Sequence, residues 1–440
     1  MNTKIAQKLL EFAKRKTKKA EVSYSSGQAR AVSFGDSKFK TIETSFSAVV
    51  SLRIIKDGRV GVAATNKMEN IENLVDKAIA VSRYGPQARF EFPPKTEFSE
   101  PKTFDLKTIS IPGQKFIDLG ASIIDDFKKF NPKILTNLDF AVGEGRGVLI
   151  NTSGLQVETQ GSKMKFFGVW DKVSQDDMLQ IGEGQSSPRD DIAIPFYLER
   201  AKEKLRKAER IAKIKSGCYP LLFTPDSIGS ILDYIFTALN GKVVVKKSSR
   251  LQDKLGEKVF AEKLTIVDDG TLNWKMGSGK CDSEGVAVSP LTLIENGVVR
   301  NFYYDLQSAA QAGTRGTGHG ERGAAAALAH PSLHNLIIKE GKETYVSILK
   351  SIKEGILAED FLGAGQDNPY NGDFSMNLAL GFKIENGEIV GRVKDTMIAG
   401  NAFDILRNGL LSLSSEREWV GNSFYSPYFL LDGITVASRS

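Results

Sequence analysis

Histidine is nearly missing from this chain. There are three in 440 residues, His319, His330 and His334, so any imidazole chemistry must come from these. Cysteine is scarcer still. Cys218 and Cys281 stand far apart, which gives no disulfide framework and suits a reducing compartment. No apolar run approaches the ~18 residues of a membrane span, and the N-terminus is too charged for a secretory signal. A cytoplasmic protein with no membrane partner is therefore expected. Charge of neither sign dominates, the net being +6. The densest basic run, Lys14-Arg15-Lys16-Thr17-Lys18-Lys19, closes a predicted helix, where cations suit the dipole. No basic face with interleaved aromatics accompanies it, so a nucleic-acid partner is not expected.

What is present describes a globular protein, 41% hydrophobic and 25% charged. A chain this long exceeds one ordinary core, so two domains are expected, 1–215 and 216–440, divided near Lys213–Gly217. In the first, the pattern predicts a helix over Asn2–Lys18 and strands at Ala20–Ser26, Ala29–Phe34, Phe39–Thr44, Ser47–Ile55 and Arg59–Ala64. A helix over Met68–Tyr84 follows. After a Pro-rich linker (Pro86–Pro112) the order recurs. A helix over Gln114–Phe130 leads to strands near Ile134–Gly143, Arg146–Thr152, Gln156–Phe167 and Gly168–Val173. A turn at Asp176-Asp177, Met178–Gly182 and a helix near Ile192–Ile214 complete it. This is a duplicated helix–antiparallel strands–helix unit, and the fold class is α+β.

The second domain reads as mostly antiparallel β with a few helices. Cys218–Phe223 is a strand, and Thr224-Pro225-Asp226 opens a helix ending at Asn240-Gly241. Lys242–Val245 reads as a strand. Two Glu-Asn-Gly turns, at Glu295-Asn296-Gly297 and Glu385-Asn386-Gly387, each predict a hairpin. Between them Gly363–Phe374 is a Gly/Asn/Asp loop.

The chemistry concentrates in Asp268–Gly323, where acids, a hairpin and the Gly-rich run Gly313–Gly323 crowd together. His319, with Glu321 and Arg322 beside it, is the best lone candidate for a functional histidine, facing a cavity shared with Leu291–Tyr304. Asp268, Asp269, Asp282, Glu284 and Asp305 offer a carboxylate cluster, although such acids usually cap turns. His330 and His334 have the i, i+4 spacing of a zinc pair. Pro331, however, pushes His330 toward extended backbone, and no Glu lies between them to act as base. Cys281 with His319 would make a nucleophile pair, against the plainer reading of a packed thiol. Gly279-Lys280-Cys281 lacks the Ser or Thr of a phosphate loop. Gly318-x-Gly320-x-x-Gly323 follows no strand, so it is not a dinucleotide fingerprint.

These residues resemble the TldD/PmbA family. The resemblance is carried by Asp268-Asp269-Gly270-Thr271, Ser283-Glu284-Gly285, Leu293 to Gly297, Tyr303-Tyr304-Asp305 and the loop to Arg322. Asn335-Leu336 and Asn371 to Ser375 continue it. The resemblance implies a cytosolic metallopeptidase assembly of two paralogous subunits, one with a His-Glu-x-x-x-His zinc motif and one without. The zinc helix should follow the Cys218–Phe223 strand, where this chain reads PDSIGSILDYIFTALNG, and Ser414–Ser440 has no cysteine. The resemblance thus points to the PmbA/TldE-type subunit, with no metal of its own, zinc in a TldD-like partner and an extended peptide as substrate. Self-association in place of the heterodimer, an independent hydrolase using His319, and a gyrase-type binding module remain open alternatives.

Overall fold

The computed structural model describes residues 2–174, 177–363 and 368–439. Asp176 of the expected turn and residues 364–367 of the expected loop lie outside the described residues. The first half comprises α1 (Asn2–Lys14), β1 (Lys19–Gly35), β2 (Lys38–Lys56), β3 (Arg59–Thr65) and α2 (Asn73–Ser82). After the short α3 (Leu106–Ile109) come α4 (Gly113–Phe130), β4 (Ile134–Asn151), β5 (Gln156–Ser174), β6 (Asp177–Ser187) and α5 (Ile194–Ala208). The six strands make one antiparallel sheet in the order β3-β2-β1-β4-β5-β6. Each copy of the helix–three strands–helix unit contributes half of it, and the copies meet where β1 pairs β4.

The strands are longer than the local pattern suggests. Breaks expected near Gly27 and Gly145 do not exist, and β1 and β4 run straight through. Gly27 faces Gly145 across the central pair. A Cβ on Gly27 would sit 3.1 Å from the Glu144 carbonyl oxygen. Gly27 admits a close approach of β4, Gly145 faces open space, and neither marks a turn.

The second half opens with β7 (Gly217–Phe223), α6 (Gly229–Leu239), α7 (Gly241–Val245) and β8 (Ile266–Asp268). Next come β9 (Leu291–Glu295), β10 (Val298–Val299), α8 (Leu306–Gln311), β11 (Gly320–Glu321), β12 (His330–Pro331), β13 (Leu336–Ile338) and α9 (Tyr345–Ser351). β14 (Glu354–Leu362), β15 (Asp373–Glu385), β16 (Glu388–Arg392), β17 (Thr396–Asn401) and α10 (Ala402–Asp404) lead to a π-helical turn at Ile405–Gly409. β18 (Leu410–Val420) and β19 (Phe424–Ser438) finish it. Both Asn-Gly hairpins form, with Asn296, Gly297, Asn386 and Gly387 all at positive φ, as a twisted two-residue turn requires. Lys242–Val245 is a correction, since it is helix. The Asn240 side chain accepts the Lys242 N–H, so Asn240 stops one helix and caps the next.

Five strands close on themselves. β7 pairs β14, β14 pairs β15, β15 pairs β17, β17 pairs β19, and β19 returns to β7. Two pairings in this sheet, β7–β14 and β13–β19, are parallel. From β19 the sheet continues through β13, β8, β9 and β10, which carries the Asp268 segment out to one side.

The two halves share a core. One buried cluster joins Phe127, Trp170 and Leu205 of the first half to Leu222, Leu357, Phe382 and Leu430 of the second. Lys204 of α5 bridges the same seam, bonding Glu183 of β6 at 2.9 Å and Glu359 of β14 at 2.7 Å. A seam this apolar should make unfolding of the halves cooperative. Phe382→Ala is expected to cost about 3–5 kcal/mol and to lower a single urea transition seen by both fluorescence and circular dichroism. Two separated transitions would contradict a shared core.

Candidate functional site

The Gly-rich loop is pressed against the turn at residues 282–288. A Cβ on Gly318 would meet the Ala287 carbonyl oxygen at 2.5 Å, and one on Gly320 would meet Glu284 Oε2 at 2.4 Å. Glycine at both positions lets the backbone dock, and docking turns His319 inward until only 1% of it is exposed. Its Nδ1 lies 2.8 Å from the Thr317 carbonyl oxygen, and its Nε2 lies 2.9 Å from Asp268 Oδ2, at the end of β8. Asp268 also accepts the backbone N–H of His334 on both oxygens, at 3.0 and 3.1 Å. The His334 ring stands 4.8 Å from that of His319 and donates from Nε2 to the Gly318 carbonyl oxygen at 2.6 Å. Tyr303 packs beside His319, and its hydroxyl donates to the Phe236 carbonyl oxygen of α6.

Sequence spacing paired His334 with His330, and geometry pairs it with His319 and Asp268. His330 is exposed on β12 opposite Glu321, its backbone extended as Pro331 demands. His319 touches Tyr303 of the Leu291–Tyr304 stretch, but the cavity it lines with Glu321 is shared with Met276, Asp282 and His334, and residues 291–304 are not part of its lining. Glu321 remains exposed.

The five acids do not form one cluster. Asp269 caps its own turn, accepting from the Thr271 N–H at 2.8 Å and hydroxyl at 2.6 Å. Asp305 caps α8 through the Ser308 N–H at 2.7 Å. Asp282 accepts three backbone N–H groups, from Glu284, Val286 and Gly320. Burial, then the charge of Glu284, pushes its carboxyl up to about 8 against the pull of those donors. Glu284 accepts the Leu306 N–H and meets Arg53 at 2.5 Å.

Arg53 is the residue that sequence reasoning missed. It sits on β2 with its side chain 2% exposed, bidentate to Glu21 of β1 at 3.1 and 3.2 Å, and bound to Glu284 of the second half. Phe90 and Phe92 flank its guanidinium at 5.2 and 5.1 Å. Arg322 turns to the same carboxylate, Glu21. One signal was visible: a lone charge inside the apolar run Ser51-Leu52-Arg53-Ile54-Ile55.

Two cavities flank this framework. One of about 350 Å³ is lined by His319, His334, Cys281, Asp282 and Glu321. The other, about 480 Å³, lies on the Arg322 side and shares Cys281, Asp282 and Glu321. Burial pushes the Cys281 thiol up to about 12, which leaves it no thiolate for attack on a substrate.

α6 follows β7 where the family's zinc helix is expected. It buries Ile231, Leu232, Tyr234, Ile235, Phe236, Ala238 and Leu239, and Asp233 is its one acid. A helix with no His, Cys or Glu does not fit a catalytic zinc.

Residues 216–438 match the model described as the PmbA/TldA metallopeptidase C-terminal domain, and residues 20–82 match domain 1 of the same group. The chain belongs to the PmbA/TldD family. An uncharacterized protein of Methanocaldococcus jannaschii is 29% identical over 92% of this chain and 94% of its own length. The metalloprotease PmbA homolog of Haemophilus influenzae is 24% identical over 98% and 94%. Among solved structures, TldE from Thermococcus kodakarensis superposes with a TM-score of 0.90 at 22% identity, covering 99% of this chain and 100% of that one. A Thermotoga maritima protein described as a modulator of a DNA gyrase gives 0.89 with the same coverage and identity. These likenesses establish the two-domain α+β fold. Membership places the chain among metallopeptidases at family level. Among the described residues no helix is long and apolar enough to cross a membrane.

Two outcomes follow from the buried charges. Arg53→Met, which leaves Glu21 and Glu284 without their shared cation, is expected to cost about 3–5 kcal/mol in denaturant unfolding. Arg53→Lys should not rescue it, because an ammonium cannot hold both carboxylates in the same fork. Asp282 gives the second. Its folded pKa is raised from 3.8 to about 8, so the folded state binds the proton more tightly than the unfolded state. Its contribution to stability is complete below pH ~4, is lost as pH rises, and levels off above the folded value. Melting temperatures of Asp282→Asn should therefore fall less steeply between pH 5 and 8 than those of the parent.

Proposed function

We propose that this chain is the subunit of a PmbA/TldD-type peptidase assembly that does not carry the catalytic zinc. The observation that supports it most directly is α6, packed as an apolar helix with Asp233 as its only acid. Amide hydrolysis at neutral pH needs an activated water or nucleophile. His319 is enclosed, Cys281 is held as a thiol, and neither meets a substrate-accessible base. In this reading a TldD-like partner supplies zinc and general base, in the cytoplasm. This chain supplies chamber walls and strand edges for an extended peptide. Edge strands suit that work, because a peptide backbone can add to them by main-chain hydrogen bonds irrespective of its sequence. Among the described residues β6 pairs only with β5, and Lys38–Val49 of β2 pairs only with β1. A cleft of about 420 Å³ lies between β6 and β18, lined by Tyr197, Arg200, Tyr345 and Trp419.

The test mixes this chain, a paralogue bearing His-Glu-x-x-x-His, or both, with a fluorogenic unstructured peptide. Cleavage is expected only from the mixture and should stop when chelator is added. Chelator-resistant cleavage by this chain alone would overturn the subunit reading and favour an independent hydrolase.

A further inference from the structure

His319 and His334 each commit one ring nitrogen to a backbone carbonyl, at Thr317 and Gly318, 2.8 and 2.6 Å away. A carbonyl can only accept, so His334 Nε2 carries hydrogen and its Nδ1 keeps a lone pair. His319 Nδ1 also lies 2.9 Å from the Thr317 hydroxyl, and its Nε2 faces Asp268. The Asp268 carboxylate and one ring nitrogen of each histidine lie within 4.8 Å of one another. His334 Nδ1 receives no hydrogen bond among the described residues.

We propose that Asp268, His319 and His334 hold one divalent ion of the zinc class. Two imidazoles and a carboxylate are a donor set that zinc accepts, with bonds of ~2.0–2.2 Å. The carbonyls on the far nitrogens are the outer contacts that orient ligating histidines. Tetrahedral bonds of that length set ligand atoms ~3.3–3.6 Å apart, so Asp268 and His319, now 2.9 Å apart, would open by about half an ångström and any atoms of the group as far apart as 4.8 Å would close in. The ion is structural. The Asp268 and His319 side chains are fully enclosed, and the ion would fasten the end of β8, the Gly-rich loop and the approach to β13. This departs from the expectation of a metal-free chain. It does not rest on the subunit reading, because it involves no residue of α6.

The test uses the full chain alone, purified without nickel resin. It combines elemental analysis, melting temperature with and without chelator, and visible absorption after Co²⁺ is added to chelated protein. Stoichiometric zinc, a fall of several degrees on chelation and a Co²⁺ ligand-field band are expected. All three should be lost in His334→Ala and kept in Asp233→Asn on α6. Should His334→Ala fail to fold, the chelation and Co²⁺ arms on the parent protein decide. Parent protein that takes up neither zinc nor Co²⁺, and melts at the same temperature with chelator, would overturn the proposal. Because peptide cleavage is not measured, this result and that of the mixing assay can fail separately.

Discussion

A guanidinium with no route to water sets the arrangement of this molecule. Arg53 is nearly fully enclosed, and burial by itself works against its charge. Glu21 and Glu284 instead hold it charged, above its usual pKa. Glu21 comes from the first half and Glu284 from the second, so the full set of contacts around the guanidinium forms only when the halves are joined. Arg322 adds a second cation to Glu21, and the two arginines balance the two glutamates. Isolated buried charges are costly and fully paired ones need not be. The framework therefore favours a single relative placement of the six-stranded sheet and the loops that carry His319 and Asp282. Shared apolar packing elsewhere along the seam supplies the bulk of the adhesion, while this quartet supplies register.

Much of the architecture was legible from local chemistry. Asn-Gly turns specify hairpins through their tolerance of positive φ, and both formed. The repeated helix–strands–helix order was legible because each copy repeats the same amphipathic periods. Errors came where a local signal had a tertiary cause. Gly27 and Gly145 looked like strand breaks but face each other inside the unbroken β1–β4 pair. Lys242–Val245 looked like a strand because it is rich in valine, yet the Asn240 cap makes it helical.

The site was harder to read for a different reason. Its contacts join residues remote in sequence: His319 to Asp268, Arg53 to Glu284, Arg322 to Glu21. Periodicity carries no information about such pairings. The i, i+4 spacing of His330 and His334 was therefore the more visible signal and the less relevant one. Asp268 and His319 could be named as candidates, but their partnership with His334 could not.

The closed ring of β7, β14, β15, β17 and β19 also bears on how the chain is made. β19 pairs with β7, β13, β17 and β18, and it emerges from the ribosome after all of them. Until Phe424–Ser438 has left the exit tunnel, the ring stays open and β7 lacks one of its two neighbours. β7 must then wait through some two hundred residues of synthesis, at ~5–20 residues per second, with that edge uncovered. The N-terminal sheet has no such dependence, because every strand it uses is complete by Ser187. The nascent chain should thus mature in two unequal stages, and the interval before the ring closes is when a chaperone would have most to protect.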